Sequence, residues 1–244
     1  MKSLKNQKVG EIVLQNPIAA GVFENLHIDY CCKGKLTLNE ACILMALDPN
    51  RVEELILNNL STTKTDYSII SNPDLSYIID YIIEKHHSYV LKQMPVILEH
   101  LRIVVSKHGE KYFYLKLMER LFLELSIDLE QHLLKEEMTL FPYIKVLDLH
   151  SKKTADPTIL HFLKQPVRMM MMEHEKAGSI MQELREVSFN YQLPDNACTT
   201  FRLLFNELAE FEKDLHEHVF LENNVLFPKA IEMEDELLSG QNLN

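Results

Sequence analysis

From residue 74 onward the apolar positions recur every three or four residues, the spacing of one buried stripe on a helix of about 3.6 residues per turn. This pattern predicts four long helices, over residues 74–107, 111–145, 166–191 and 197–233. Polar breaks separate them. They are His108-Gly109, where glycine suits a left-handed C-terminal cap, the stretch Lys152 to Gln165 with room for a short helix, and the Pro194-Asp195 turn. Four amphipathic rods with these connections make an all-α, antiparallel four-helix bundle.

The first sixty residues follow a shorter rhythm. Val9–Leu14 and Pro17–Leu26 read as two brief helices, the second with Asn16 as its cap and Pro17 at its first position. His27 to Lys35 is a turn. Thr37 and Glu40 form a capping box that opens a helix through Leu47, and Asp48-Pro49 starts another through Leu60. The run Ser61 to Thr65 has no apolar period and nothing to bury. The chain therefore divides into a small helical N-terminal domain, residues 1–62, and the bundle, residues 73–236. Its polar end, Ser239 to Asn244, is expected to fray.

Within the bundle one motif occurs twice. His132-x3-Glu136 is followed by Leu140-Phe141-Pro142, and, 86 residues later, His218-x3-Glu222 is followed by Leu226-Phe227-Pro228. A histidine and a glutamate four apart project from one helix face. The apolar seams leading into them, Met118, Phe122, Leu125 and Leu129, then Leu204, Leu208, Phe211 and Leu215, point these side chains inward. His87 and His174 complete the set, each among apolar neighbours at matching places: Ile83, Val90, Leu91 and Met94, then Met170, Ala177, Gly178 and Met181.

Buried carboxylates are costly unless paired, protonated or bound to a cation. Four imidazoles and two carboxylates suit a pair of first-row metal ions, the two glutamates bridging and an oxo or hydroxo bridge between the ions. Two non-haem irons are favoured, while manganese or zinc tolerates the same ligands. The alternative is a set of core histidines satisfied by hydrogen bonds.

Composition narrows the class. A formal charge of -11 over 244 residues disfavours nucleic acid as a partner, because phosphate binding needs a basic footprint. Met1 to Gly10 has no apolar run behind it, and nowhere are there about eighteen consecutive apolar residues, so the sequence predicts a cytoplasmic protein without a membrane span. Four cysteines in such a setting stay reduced. Cys31 and Cys32 are adjacent, a geometry that strains a mutual bridge, and read as free thiols in a loop. Lys33 and Lys35 nearby favour thiolate, which leaves a thiol relay and an inert pair both open. Cys42 and Cys198 read as small buried hydrophobes.

Other polar residues have plainer expectations. His86 lies one residue, about 100° of helix, from His87, so the two cannot both face the centre. His216 should face outward, and His100, His108, His150 and His161 should lie at the surface. Glu137 and Glu173 adjoin ligands; exposure is the commoner outcome for such glutamates, a hydrogen bond to a ligand imidazole the alternative. Of Met169 to Met172, Met170 and Met171 should fill the core.

Two segments together resemble a known family. Val9-Gly10-Glu11-Ile12-Val13 through Asp29-Tyr30-Cys31-Cys32-Lys33-Gly34-Lys35, followed by Leu38 and Ala41, is similar to the short N-terminal domain of the bacterial RIC proteins, the repair-of-iron-centres family. His132-x3-Glu136 and His218-x3-Glu222-Asn223-Asn224-Val225-Leu226-Phe227-Pro228 resemble that family's hemerythrin-like domain. The resemblance implies a di-iron centre on His87, His132, Glu136, His174, His218 and Glu222. It also implies a role in restoring iron–sulfur clusters damaged by nitric oxide or peroxide, with damaged or apo iron–sulfur proteins as partners and a homodimer among the assemblies allowed. Oxygen-carrying hemerythrins differ: they pair H-x3-E with H-x4-D, whereas both copies here are H-x3-E. Lys33 departs from the family, which more usually has a small residue there. Three functions stay open: iron donation with Cys31 and Cys32 as relay, reduction of nitric oxide, and binding or sensing of nitric oxide or oxygen.

Overall fold

Four short helices come first in the computed structural model, which describes residues 3–59, 68–71, 74–151 and 163–241. Helices α1 (Val9–Gln15) and α2 (Ile18–Asn25) pack together, and α4 (Pro49–Asn59) lies against α2 and α3 (Leu38–Leu44). Val9, Ile12, Phe23, Leu38 and Ile56 form their fully buried centre. The capping box is present: Glu40 N donates to Thr37 Oγ1 at 3.3 Å, and Thr37 N donates to Glu40 Oε2 at 2.8 Å. Helix α2 starts later than the sequence suggests, with Pro17 as its cap and the main-chain carbonyl of Asn16 accepting from Ala19. The Ser/Thr-rich run expected to be a linker lies outside the described residues.

After the short α5 (Ser68–Ser71), four rods form the bundle. The first is α6 (Leu75–Tyr81), a π-helical stretch Ile82–His87, and α7 (Ser88–His108). The second is α8 (Tyr114–Lys135), a π stretch Glu136–Leu140, and α9 (Phe141–Ser151). The third is α10 (Lys164–Val187). The fourth is α11 (Thr199–Leu221), a π stretch Glu222–Leu226, and α12 (Phe227–Gln241). Helix α7 packs against α8 and α11, and α10 against α8. Among the described residues no helix is long and apolar enough to cross a membrane.

The wide π turns were not visible in the periodicity, yet the two that begin at Glu136 and Glu222 share a sequence feature, a following Phe-Pro pair. Phe141 N and Phe227 N reach back five residues, to Glu136 O and Glu222 O. Each phenylalanine precedes a proline, whose ring crowds the carbonyl four residues back and which donates nothing. Those carbonyls, of Met138 and Asn224, lie inside the widened turns. Such turns are frequent at functional sites.

Three boundaries depart from expectation. Gly109 has φ -66°, right-handed and not left-handed, so its N–H simply continues the helix to Val105 O at 2.8 Å. Helix α10 ends at Val187 because Phe189, Asn190 and Tyr191 all take positive φ, 54° to 57°. Helix α12 runs to Gln241, past the end expected at 233, and the rest of the polar tail lies outside the described residues.

The N-terminal helices dock on the bundle through the Cys31-Cys32 loop. Tyr30 is buried between Phe23 and Phe220, with ring centroids 6.1 and 5.5 Å away. Asn224 Nδ2, from the fourth rod, donates to Cys31 O at 3.2 Å. Its Oδ1 would stand only 2.7 Å from a Cβ at Gly10 and 2.8 Å from one at Gly34, so the contact requires glycine on both sides. A methyl at Gly34 also meets the Tyr30 carbonyl at 2.7 Å, whereas one at Gly21 meets nothing within 4 Å. Gly34→Ala should therefore lower stability by about 1–3 kcal/mol, read from the urea midpoint. Gly21→Ala, in the middle of α2, should raise it by about 0.5–1 kcal/mol, and equal effects of the two would contradict the docking argument.

Candidate metal centre

The bundle brings all six predicted side chains to one buried place. His87 ends the first π stretch, Glu136 and Glu222 begin the other two, and His132, His174 and His218 come from α8, α10 and α11. They form two groups that share both glutamates. In one, His87 Nε2 lies 3.2 Å from His218 Nε2 and 3.5 Å from Glu136 Oε2, with His218 Nε2 2.9 Å from Glu222 Oε1. In the other, His132 Nε2 lies 2.9 Å from His174 Nε2 and 3.4 Å from Glu136 Oε1, with His174 Nε2 3.1 Å from Glu222 Oε2. Each carboxylate thus sends one oxygen to each imidazole pair.

This arrangement fits two cations better than it fits hydrogen bonds. Donor atoms about 2.0–2.2 Å from a common ion stand roughly 3–3.5 Å from one another, as these do. Without an ion the nitrogens face each other, and only one of each pair can carry the proton between them. Both oxygens of Glu136, and Oε2 of Glu222, are buried with no hydrogen-bond partner. Unpartnered buried carboxylate oxygens cost far more than a typical hydrogen bond returns, which a bound cation reverses.

The electrostatics show the same crowding. Burial alone would raise the Glu222 carboxyl, but His218, His174 and His87 outweigh it and hold it well below the usual range. Burial works to lower His132, yet Glu136 and its neighbours push that imidazole up to about 9. His87 is raised in the same way against its burial, with Glu222 and Glu136 responsible. In His218 burial wins and its pKa falls.

Three of the four imidazoles donate their Nδ1–H outward. His87 Nδ1 donates to Glu137 Oε1 at 2.8 Å, His132 Nδ1 to Glu173 Oε2 at 2.8 Å and His174 Nδ1 to Asn223 Oδ1 at 2.9 Å. Glu137 and Glu173 therefore do more than face solvent, and Asn223 was missed. The available signal was the repeat: Glu137 and Asn223 both follow a shared glutamate. Such contacts fix ring orientation and ligand strength.

The remaining histidines divide. His86 is fully buried beside the centre, with Nδ1 donating to Asp214 Oδ1 at 2.9 Å. His216 turns away from the centre but not to solvent: its ring meets Glu24 of α2 at 2.9 Å. His100 pairs with Glu207 at 2.7 Å, and His108 Nε2 lies 3.4 Å from Cys198 Sγ, so neither is a free surface residue. The side chain of His150 and all of His161 lie outside the described residues. Met170 is buried and Met171 half-buried, while Leu91, expected in the core beside His87, is exposed.

Cys31 and Cys32 sit where the N-terminal helices touch the third and fourth rods. Asn223 Nδ2 donates to Cys31 O at 3.5 Å, and Cys32 Sγ donates to His174 O at 3.6 Å. The thiolate expected from Lys33 and Lys35 does not follow at Cys31: the Cys32 thiol, burial and the Asp29 carboxylate push its pKa well up, and both lysines are exposed. Asp29 Oδ1 accepts from the Cys32 N–H at 2.9 Å and lies 3.3 Å from Cys31 Sγ. Cys42 is fully buried, and Cys198 half-buried.

A cavity of about 260 Å³ opens beside the centre. His132, His174 and His218 face it across Leu129, Ala177 and Leu215, and two ion pairs, Lys135–Glu173 and Lys176–Asp128, stand on its rim at 2.5 and 2.6 Å.

Two family models match the chain. The family model described as "Hemerythrin HHE cation binding domain" matches residues 78–230, and ScdA_N, "Domain of Unknown function (DUF542)", matches residues 5–60. The chain is 32% identical over 230 residues to the iron-sulfur cluster repair protein YtfE of Enterobacter sp. (strain 638), covering 94% of this chain and 98% of that protein. It is 34% identical over 227 residues to the protein of the same name from Escherichia coli O1:K1 / APEC, covering 93% and 97%.

Ferrous ions should stabilise the metal-free chain by about 2.7 kcal/mol for each ion bound when free metal is about 100-fold above Kd, read anaerobically as a rise in Tm. In Glu136→Gln, which keeps the shape and removes the shared charge, that rise should shrink. An undiminished rise would exclude Glu136 from the site.

Proposed function

The chain belongs to the hemerythrin HHE family and, with YtfE, to the iron–sulfur cluster repair proteins, and on that premise we propose that it repairs damaged clusters by holding two irons and giving iron up. The observation that carries this reading is the pair of shared carboxylates, Glu136 and Glu222, each serving both imidazole pairs. Nitrogen and oxygen donors without thiolate suit iron. Nitrosative or oxidative damage creates the demand for repair, and damaged or apo iron–sulfur proteins receive the metal.

Iron is the cargo, so the residues must bind it and also let it go. Glu136 and Glu222 each span two positions, so a carboxylate can keep one oxygen on one position while the other exchanges. Cys32 touches the main-chain carbonyl of His174, and Cys31 O accepts from Asn223, which holds the His174 ring. As a relay they bind a departing cation as thiolates, each losing its proton to the solvent as metal arrives. The raised pKa of Cys31 keeps it protonated until then.

A second reading has its own support. The cavity has apolar walls and reaches three of the imidazoles, a shape that admits a diatomic gas. Reduction of nitric oxide, or binding of nitric oxide or oxygen, then takes place at the same residues. Gas analysis of reduced, iron-loaded protein with nitric oxide separates the two: nitrous oxide supports turnover, and a stable complex without product counts against it.

Iron analysis with a visible spectrum tests the primary reading. Two irons per chain are expected, with an absorption that His132→Ala abolishes. Loaded wild type should restore a damaged iron–sulfur protein, and a Cys31→Ala, Cys32→Ala variant that loads two irons should restore it more slowly. Equal rates would remove the cysteines from the pathway while leaving iron donation intact.

A further inference from the structure

The two halves of the bundle repeat their outer contacts as well as their ligands, with one exception. The residue after each shared glutamate holds a histidine of its own half, Glu137 on His87 and Asn223 on His174. The residue before His174 holds a histidine of the other half, Glu173 on His132. By the same repeat the residue before His87 falls to His218. That residue is His86, not a carboxylate.

His86 meets His218 by its face. The two rings are parallel within 6°, with centroids 5.6 Å apart, and the His86 and Tyr81 rings make a T-shaped contact with centroids 5.9 Å apart. Asp214 Oδ1 holds its Nδ1 at 2.9 Å. Asp214 stands four residues before His218 on α11, hence on the same face one turn away, and so fixes the ring that covers it. His218 Nδ1 is buried with no hydrogen-bond partner, the only ligand imidazole in that condition among the described residues.

We propose that His86, held by Asp214, is the positioning residue of His218, fixing its ring by stacking where the other three ligand imidazoles are fixed by an acceptor on Nδ1. The inference rests on the two-iron reading above and deepens it. An Nδ1 acceptor orients an imidazole and also strengthens it as a ligand. A stacked ring orients it only. The two positions are therefore unequal: the pair His132 and His174 has an acceptor on each ring, the pair His87 and His218 on one. Iron at the His87/His218 position leaves first.

Release of iron from anaerobically loaded full-length protein to a ferrous chelator tests this, with bound iron counted before mixing. Wild type should carry two irons and release them in two phases of one iron each. His86→Ala should speed the first phase by roughly 10–100-fold and leave the second unchanged. His86→Phe, which restores a ring, should return it toward wild type. Asp214→Ala, which frees the His86 ring without emptying its place, should shift the same phase in the same direction and serves if His86→Ala does not fold.

An unchanged first phase in His86→Ala or Asp214→Ala would overturn the proposal, as would a His86→Phe protein as fast as His86→Ala. So would equal acceleration of both phases, or a single phase for both irons in wild type. Fewer than two irons in wild type would overturn the two-iron reading and this inference with it, whereas two irons with unaltered variants would overturn this inference alone.

Discussion

Two glutamates buried at the centre of a helical bundle, each with an oxygen in two groups of imidazoles, set the terms for everything around them. A carboxylate in such a place is tolerated only with compensating charge. The imidazoles supply part of it, which is why Glu222 stays well below its ordinary pKa while His132 rises to about 9. Yet Glu136 keeps two unpartnered oxygens and the Nε2 atoms face one another in pairs. The compensation is incomplete until cations arrive, so folding of this core and uptake of metal are linked.

The surrounding bundle is organised to hold that arrangement. The seams of leucine and phenylalanine keep the four rods in register, and Phe141 and Phe227, one in each half, stack on His87 and His174 at 5.5 and 6.1 Å. The same two phenylalanines donate the main-chain bonds that close the π turns beginning at Glu136 and Glu222. One Leu-Phe-Pro sequence thus shapes the backbone at the carboxylate and packs the neighbouring ligand.

The halves differ where the N-terminal helices arrive. Gly178 occupies the place that Leu91 holds in the first half, and a Cβ at Gly178 would lie 3.5 Å from Cys32 Sγ. The missing side chain leaves the cysteine loop room against α10. Asn223 and Asn224 then link Cys31 to the bundle, Asn223 touching His174 as well. A single ligand imidazole is therefore coupled to the N-terminal domain. That coupling places the cysteine pair one residue, Asn223, away from the His174 ring.

Much of this was determined by the sequence alone. The four rods, the capping box at Thr37 and Glu40, the convergence of four histidines and two glutamates and the cysteine loop follow from spacing, because a helix converts residue intervals of three and four directly into a face. Tertiary structure decided what spacing cannot encode. Glu173 reaches His132 across 41 residues, Glu137 reaches His87 across 50 and Asn223 reaches His174 across 49, each contact passing between different rods. The burial of His86 over His218, the raised thiol of Cys31 and the demand for glycine opposite Asn224 likewise depend on which surfaces meet. A one-dimensional period specifies which way a side chain leaves its own helix; only the packing of helices specifies what it finds there.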